Sequence, residues 1–313
     1  MHTNNNFRII GVDAGYGNIK TANTCFPTGL VAYDHEPIFT GNILEYQGRI
    51  YRVGEGHKAF VPDKTGDEEF YLLTLAAIAY EMAKFHISTA NVQLALGLPL
   101  TWTSWQREGY RSYMMSDPDV SFRFNDVDYH IHFVGCNVFP QGYAAIVPIM
   151  DQHPEKFDGT VVMADIGNGT MNTLFLEDGE PDENRSFTDE LGVKQCVAGI
   201  SKSMMNSCGI NIGERQIQQV LQKGNAPIDQ KYLDMMTGIA RNYVRGLFDM
   251  LRQHGYDSRM MRLIIVGGGG VLVKNFGDYD STRTEIVDDI CANAKGFEWL
   301  AQGLIRDKEH GLR

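Results

Sequence analysis

The sequence predicts an α/β fold built from two similar halves. Strand-like and helix-like stretches alternate along all 313 residues without a low-complexity segment. A strand-like apolar run that ends in Asp-x-Gly-x-Gly occurs twice, first at Asp13 and again at Asp165. Hydrophobic residues make up 43% of the chain and charged residues 21%, a balance typical of a globular protein with a substantial core. The repeated motif implies a two-lobed molecule in which each lobe begins with such a turn.

The charge and the apolar runs exclude several classes of protein. There are 28 Lys and Arg residues against 39 Asp and Glu residues, a formal net charge of −11, so we expect no tight direct binding to duplex DNA. The longest apolar run, at 72–80, is far shorter than the roughly 20 residues of a membrane-spanning helix. The polar segment 1–6 lacks the pattern of an export signal, so we expect a soluble cytoplasmic protein without a membrane partner.

Apolar periodicity and turn residues predict the elements of the first half. The helix has apolar residues on most faces, which indicates that it is buried. Asn125 and Asp126 are typical of the turn of a hairpin. In chain order, the predicted elements are a strand at 7–12, strand-like runs at 39–53 in a small inserted subdomain at about 31–87, a helix at 70–85, a strand at 91–98, a hairpin at 123–134 and a helix at 141–150.

The second half repeats the alternation. Gly255 is placed to end a long helix. The predicted elements are a strand at 160–164, helices at 192–208 and 230–254, a strand at 261–266 and a helix at 293–305. We therefore predict a first lobe formed by 1–153 and 293–313, and a second lobe formed by 154–292 with a helical insertion at about 205–258.

Glycine turns follow three of these strands. Glycine lets the backbone approach a ligand closely, so such a turn can offer N–H groups to a phosphate. The turns contain Gly15 with Gly17, Gly167 with Gly169, and the run 267–270. None of them matches a Walker loop, and none is a full dinucleotide-binding motif. In the first turn, Lys20 stands where a dinucleotide-binding motif requires its third glycine.

The three turns are more informative as a set than singly. An isolated Asp-x-Gly is most simply an ordinary tight turn. Two on matching strands, together with a glycine run, favour a phosphate site in which Asp13 and Asp165 hold a hydrated Mg²⁺. Lys20 can add a point charge beside the phosphates.

Five segments carry a family resemblance. They are 9–20, 138–145, 163–172, 263–270 and 293–297. In order, they are similar to the first phosphate motif, the first connector, the second phosphate motif, the adenosine motif and the second connector of the actin and sugar-kinase ATPase superfamily. The chain most closely resembles the ParM/StbA-type plasmid-segregation actins of bacteria.

The resemblance implies an actin-like two-lobed ATPase fold with a duplicated ribonuclease-H-like core and small inserted subdomains. It implies that ATP, or GTP, binds with Mg²⁺ between the lobes, with the metal held at Asp13 and Asp165 through water. It also implies self-assembly into head-to-tail filaments that move plasmid DNA through a DNA-binding adaptor protein. The implied nucleotide-binding residues are Asp13, Gly15, Tyr16, Gly17, Asn18, Lys20, Asp165, Gly167, Asn168, Gly169, Thr170, Gly267, Gly268 and Gly269.

The implied catalytic residues are Gln141, Asp165 and Asp13, with Gln141 positioning the attacking water. Gln141 stands where some relatives place glutamate; a glutamine is no general base at neutral pH, but it can orient water. Asn168 and Asn172 are further departures, and Asn172 removes a charge that many members carry. Two alternatives stay open: a small-molecule kinase of the same superfamily, and a slow nucleotide-binding regulator.

Overall fold

The computed structural model describes residues 2–4, 7–35, 41–59, 61 and 63–309, so the first two residues of the strand-like run predicted at 39–53 lie outside it. The chain divides into two compact units. The first comprises Met1–Gln152 and Cys291–Arg313, and the second His153–Ile290. Each contains a sheet and several helices, which confirms the α/β class.

The sheet of the first unit has ten strands among the described residues. Its order is β4-β3-β2-β8-β10-β9-β6-β7-β5, with β1 paired to β2, and the central strands β2, β8 and β10 run parallel. The strands are β1 His2–Asn4, β2 Phe7–Ala14, β3 Asn18–Lys20, β4 Cys25–Pro27, β5 Leu30–Tyr33, β6 Ile43–Tyr46, β7 Arg49–Val53, β8 Thr89–Leu98, β9 Asp119–Phe124 and β10 Val127–Pro140.

Three α-helices lie among the described residues in the first segment of this unit, Met1–Gln152. They are α1 Glu68–Ala83, α2 Thr103–Met114 and α3 Tyr143–Gln152. Helix α1 begins where the Asp67 side chain accepts a hydrogen bond from the Phe70 N–H, and most of its residues are buried, as predicted. Helix α2 was not predicted from the sequence.

The second unit has a five-stranded sheet in the order β13-β12-β11-β14-β15. Its strands are β11 Thr160–Ile166, β12 Met171–Glu177, β13 Glu180–Asp189, β14 Arg262–Val266 and β15 Thr284–Ile286. Its helices are α4 Val193–Cys208, α5 Glu214–Lys223, α6 Gln230–Gln253 and α7 Gly270–Phe276. The last helix, α8 Ala292–Glu309, belongs to the first unit.

The two sheets share a five-strand core of the same order and direction. In the first unit, β4, β3 and β2 are successively antiparallel, and β8 and β10 follow parallel to β2. In the second, β13, β12 and β11 are antiparallel, and β14 and β15 follow parallel to β11. The repeated Asp-x-Gly-x-Gly motif therefore marks a real duplication, with each motif at the end of the middle strand of its core.

The predicted turns also form. Asn125 and Asp126 have φ values of 47° and 64°, as a tight hairpin turn between β9 and β10 requires. Helix α6 ends just before Gly255, whose φ is 91°. Among the helices of the described residues, none combines the length and the apolar character needed to cross a membrane.

Candidate functional site

In the first unit, the candidate site is built around the carboxylate of Asp13. This residue lies near the end of β2 and is 2% exposed. Lys20 Nζ donates to its Oδ2 at 3.1 Å, and Gln141 Nε2 donates to its Oδ1 at 2.7 Å. The structure thus brings together three of the predicted site residues, and both carboxylate oxygens have a fixed orientation.

The glycine turn after Asp13 has its carbonyl groups bonded to the protein. The carbonyl of Ala14 accepts from Lys64 Nζ at 2.6 Å, and that of Gly15 accepts from the Thr28 hydroxyl at 2.6 Å. The carbonyl of Gly17 accepts from the Thr28 N–H at 3.0 Å. A trans peptide directs its C=O and its N–H to opposite sides. Because the carbonyl groups of Gly15 and Gly17 are bonded to Thr28, the N–H groups of Tyr16 and Asn18 point away from Thr28. This arrangement suits a turn that offers N–H groups to an anion.

Thr28 and Lys64 were not identified as site residues from the sequence. Both are almost completely buried in the structure. Neither residue belongs to one of the glycine motifs, and Lys64 lies in the loop before α1. The spacing of residues in the sequence therefore did not indicate that either one contacts the turn. Burial lowers the pKa of Lys64 to about 8, and the nearby charges of Asp13 and Asp67 oppose part of that effect. Lys64 therefore brings a buried amine to within hydrogen-bond distance of the turn.

Gln141 is fixed by the junction of several elements. Its N–H donates to the carbonyl of Leu98 at the end of β8, at 2.8 Å. The next residue, Gly142, has a φ of 76° and donates its N–H to Asn293 Oδ1 at 2.8 Å. Asn293 lies at the start of α8, so the two segments that resemble the connectors are directly bonded to each other.

In the second unit, Asp165 lies at the corresponding place on β11 and is 5% exposed. Its partner across the β11–β12 pair is Asn172, whereas the partner of Asp13 across the β2–β3 pair is Lys20. A neutral amide thus occupies the position that a cation occupies in the first unit. The Asn172 side chain accepts a hydrogen bond from the Thr188 hydroxyl at 2.9 Å.

The turn after Asp165 is also bonded through its carbonyl groups, here to the start of α4. The carbonyl of Gly167 accepts from the Val193 N–H at 3.0 Å, and that of Asn168 accepts from the Lys194 N–H at 2.9 Å. Gly192 precedes the helix and has no side chain to cap it, so the turn satisfies N–H groups that a helix start leaves unpaired. Among the described residues, the N–H groups of Asn168 and Gly169 donate to no backbone carbonyl.

The glycine run packs against the end of β11. Gly267 has a φ of 83°, and a Cβ atom added there would lie 2.4 Å from Asp165 Oδ1. The Gly269 N–H donates to the carbonyl of Ile166 at 2.9 Å, whereas a Cβ at Gly268 would contact nothing within 4 Å. The structure therefore brings Asp165, its turn and the glycine run together within the second unit.

Two family models match the chain. Residues 11–143 match the actin-like proteins N-terminal domain, and residues 163–276 match the archaeal actin homologue MreB-like C-terminal domain. The chain thus carries actin-like domains in both of its halves. This actin-like chain is 24% identical over 328 aligned positions to an archaeal actin homologue of Thermoplasma volcanium, and the alignment covers 94% of this chain and 98% of the relative.

Solved structures show that the chain has the actin-like fold. An archaeal actin homologue in complex with ADP is similar with a TM-score of 0.76 and 18% identity, covering 94% of this chain and 99% of that one. A ParM from a 15-stranded filament of Clostridium botulinum is similar with a TM-score of 0.77 and 19% identity, covering 95% and 99%. The fold predicted from the five motif segments is thereby confirmed.

Proposed function

We propose that this actin-like protein binds Mg-ATP through its two glycine turns, assembles into filaments and hydrolyses ATP to drive plasmid DNA segregation. One observation carries the proposal. In each unit, the middle strand of the duplicated core ends in a buried aspartate and a glycine turn whose carbonyl groups are bonded to the protein. Such turns bind phosphate groups through backbone N–H groups.

The residues present suit a magnesium ion that is held mainly by the nucleotide. No group of three or more His, Cys, Asp or Glu side chains in the described part of the chain could hold a metal ion by itself. Mg²⁺ retains several water molecules and commonly binds through one or two carboxylates together with substrate phosphates. Asp13 and Asp165 would hold such an ion through its water ligands, and the ion would neutralise charge on the phosphates.

Gln141 has the geometry of a residue that orients water. Because its Nε2 donates to Asp13, its Oε1 is the remaining polar atom of the amide and can accept a hydrogen bond from a water molecule. The buried position of Asp13 keeps this amide in one orientation. Gln141 would therefore hold the attacking water, and Asp165 would act on the water shell of the metal.

We expect Gln141→Leu to lower kcat for ATP hydrolysis by roughly 10²-fold while the Kd for ATP changes only a few-fold. Leucine is close in size but cannot hold a water molecule. Gln93→Leu is the matched control, since Gln93 donates to Asn137 within the same sheet and is not part of the site. Phosphate release and nucleotide titration measure the two quantities. An unchanged kcat in Gln141→Leu would remove the water-positioning role.

The filament part of the proposal is supported by the relatives. Structures similar to this chain include a ParM filament and an Alp12 filament. Filaments grow through head-to-tail contacts between different surfaces of the same subunit. The chain has a net charge of −11, which disfavours direct binding to DNA. We therefore infer that a separate adaptor protein binds the DNA.

Two assays of the purified protein test this function: light scattering and pelleting. Each is run with Mg²⁺ and ATP, ADP or a non-hydrolysable analogue, and the pellet is imaged by electron microscopy. We expect polymer that depends on the nucleotide. Binding of ATP without polymer over several-fold ranges of protein and salt concentration would contradict filament assembly. In that case, ATP turnover that is stimulated by a sugar would indicate a kinase. The absence of ATP turnover would indicate a nucleotide-binding regulator.

A further inference from the structure

A buried lysine outside the recognised motifs contacts the first glycine turn. Lys64 is 1% exposed, and its Nζ donates to the carbonyl of Ala14 at 2.6 Å. Among the described residues, its ammonium group forms no ion pair with a carboxylate. The hydrogen bond to the turn is thus the specific contact made by the charged end of this side chain.

Several elements hold Lys64 in place. Its backbone N–H donates to Gln106 Oε1 on α2 at 3.0 Å. Its Nζ lies 4.7 Å from the ring centroid of Phe70 on α1 and 5.5 Å from that of Tyr16 in the glycine turn. Aromatic faces at these distances attract a cation. The surroundings therefore aim the ammonium group at the start of the turn.

A charge in this position is costly to bury. Burial is the main cause that lowers the pKa of Lys64 to about 8, and the neighbouring cations Lys20 and Lys58 act in the same direction. A methionine would fill similar space without the desolvation of an ammonium group. The lysine is thus explained better by what its charge and hydrogen bond do to the turn than by packing.

We propose that Lys64 is a positioning residue of the nucleotide site, which fixes the first peptide of the glycine turn and adds positive charge beside the bound phosphates. The peptide that joins Ala14 and Gly15 is bonded on both sides, since the Gly15 N–H donates to the carbonyl of Asp13 at 3.1 Å. Loss of the lysine bond frees that peptide and the amides that follow it. The inference rests on the proposed nucleotide binding.

The test compares Lys64→Met with Lys58→Met. Lys58 is the matched control because its Nζ also lies 4.7 Å from the Phe70 ring, but it pairs with Asp67 and Glu69 at the start of α1. We expect Lys64→Met to raise the Kd for ATP about tenfold or more, whereas Lys58→Met leaves that Kd within a few-fold of the original.

Adenosine, which has no phosphates, separates positioning from general structural damage. We expect Lys64→Met to weaken the binding of ATP but not of adenosine, measured by competition against a fluorescent nucleotide. Equal losses for both ligands, or no loss for ATP, would overturn the inference. Lys64→Leu, which is neutral and has no hydrogen-bond donor, should behave alike and serves if the methionine variant does not fold. Failure of the unaltered protein to bind ATP would instead overturn the proposed function, and with it this inference.

Discussion

Asp165→Asn is expected to stop ATP hydrolysis while the second unit stays folded. The carboxylate is buried at the end of β11, and the residue across the strand pair is the neutral Asn172. Asparagine has the same shape, so it fits beside Gly267, but it cannot supply the negative charge that would act on metal-bound water. We expect kcat to fall on the order of 10²-fold or more, with nucleotide still bound.

Phosphate release at saturating Mg-ATP measures this effect, and thermal unfolding reports whether the fold is retained. Asp158→Asn is the control, since Asp158 is exposed in the loop before the same strand. Turnover that is the same in Asp165→Asn and the original protein would remove Asp165 from the site. Asp165→Ala should likewise abolish hydrolysis.

Gly267→Ala is expected to destabilise the second unit strongly. The φ of 83° is unfavourable for any residue with a Cβ atom. The added atom would also lie 2.4 Å from Asp165 Oδ1 and 2.7 Å from the carbonyl of Ile166. Backbone strain and overpacking together should lower the free energy of unfolding by roughly 2–5 kcal/mol.

Denaturant unfolding of Gly267→Ala and Gly268→Ala measures the difference. Gly268 is the matched control because an added Cβ there would contact nothing within 4 Å. The control should change the free energy of unfolding by less than about 1 kcal/mol. Equal stability of the two variants would show that the close packing of Gly267 against Asp165 is not needed. We also expect Gly267→Ala to weaken ATP binding, since it displaces the carboxylate.

Local patterns predicted many elements well, and the exceptions have identifiable causes. Helix α2 was missed because two of its four buried residues, Thr103 and Gln106, are polar, which hides the apolar face. The second arm of the hairpin was predicted to end at 134, but β10 continues to Pro140. Its pairing with β8 shifts register between Phe133 and Gly135, and this irregularity breaks the alternation from which the strand was inferred.

The sequence by itself determined the chemistry that each turn can offer. A strand that ends in aspartate and glycine is a local pattern, so Asp13, Asp165 and their glycines were identified without a structure. The duplication was also visible, because both copies keep the same order of residue types.

Only the tertiary structure decided which groups hold the turns in place. Thr28 and Lys64 bond the first turn and the start of α4 bonds the second, although none of these contacts follows from periodicity or spacing. Gln141 reaches Asp13 because β10, which precedes it, lies beside β8 in the sheet. Contacts between residues far apart in the chain depend on strand order and burial, and these arise only when the whole core packs.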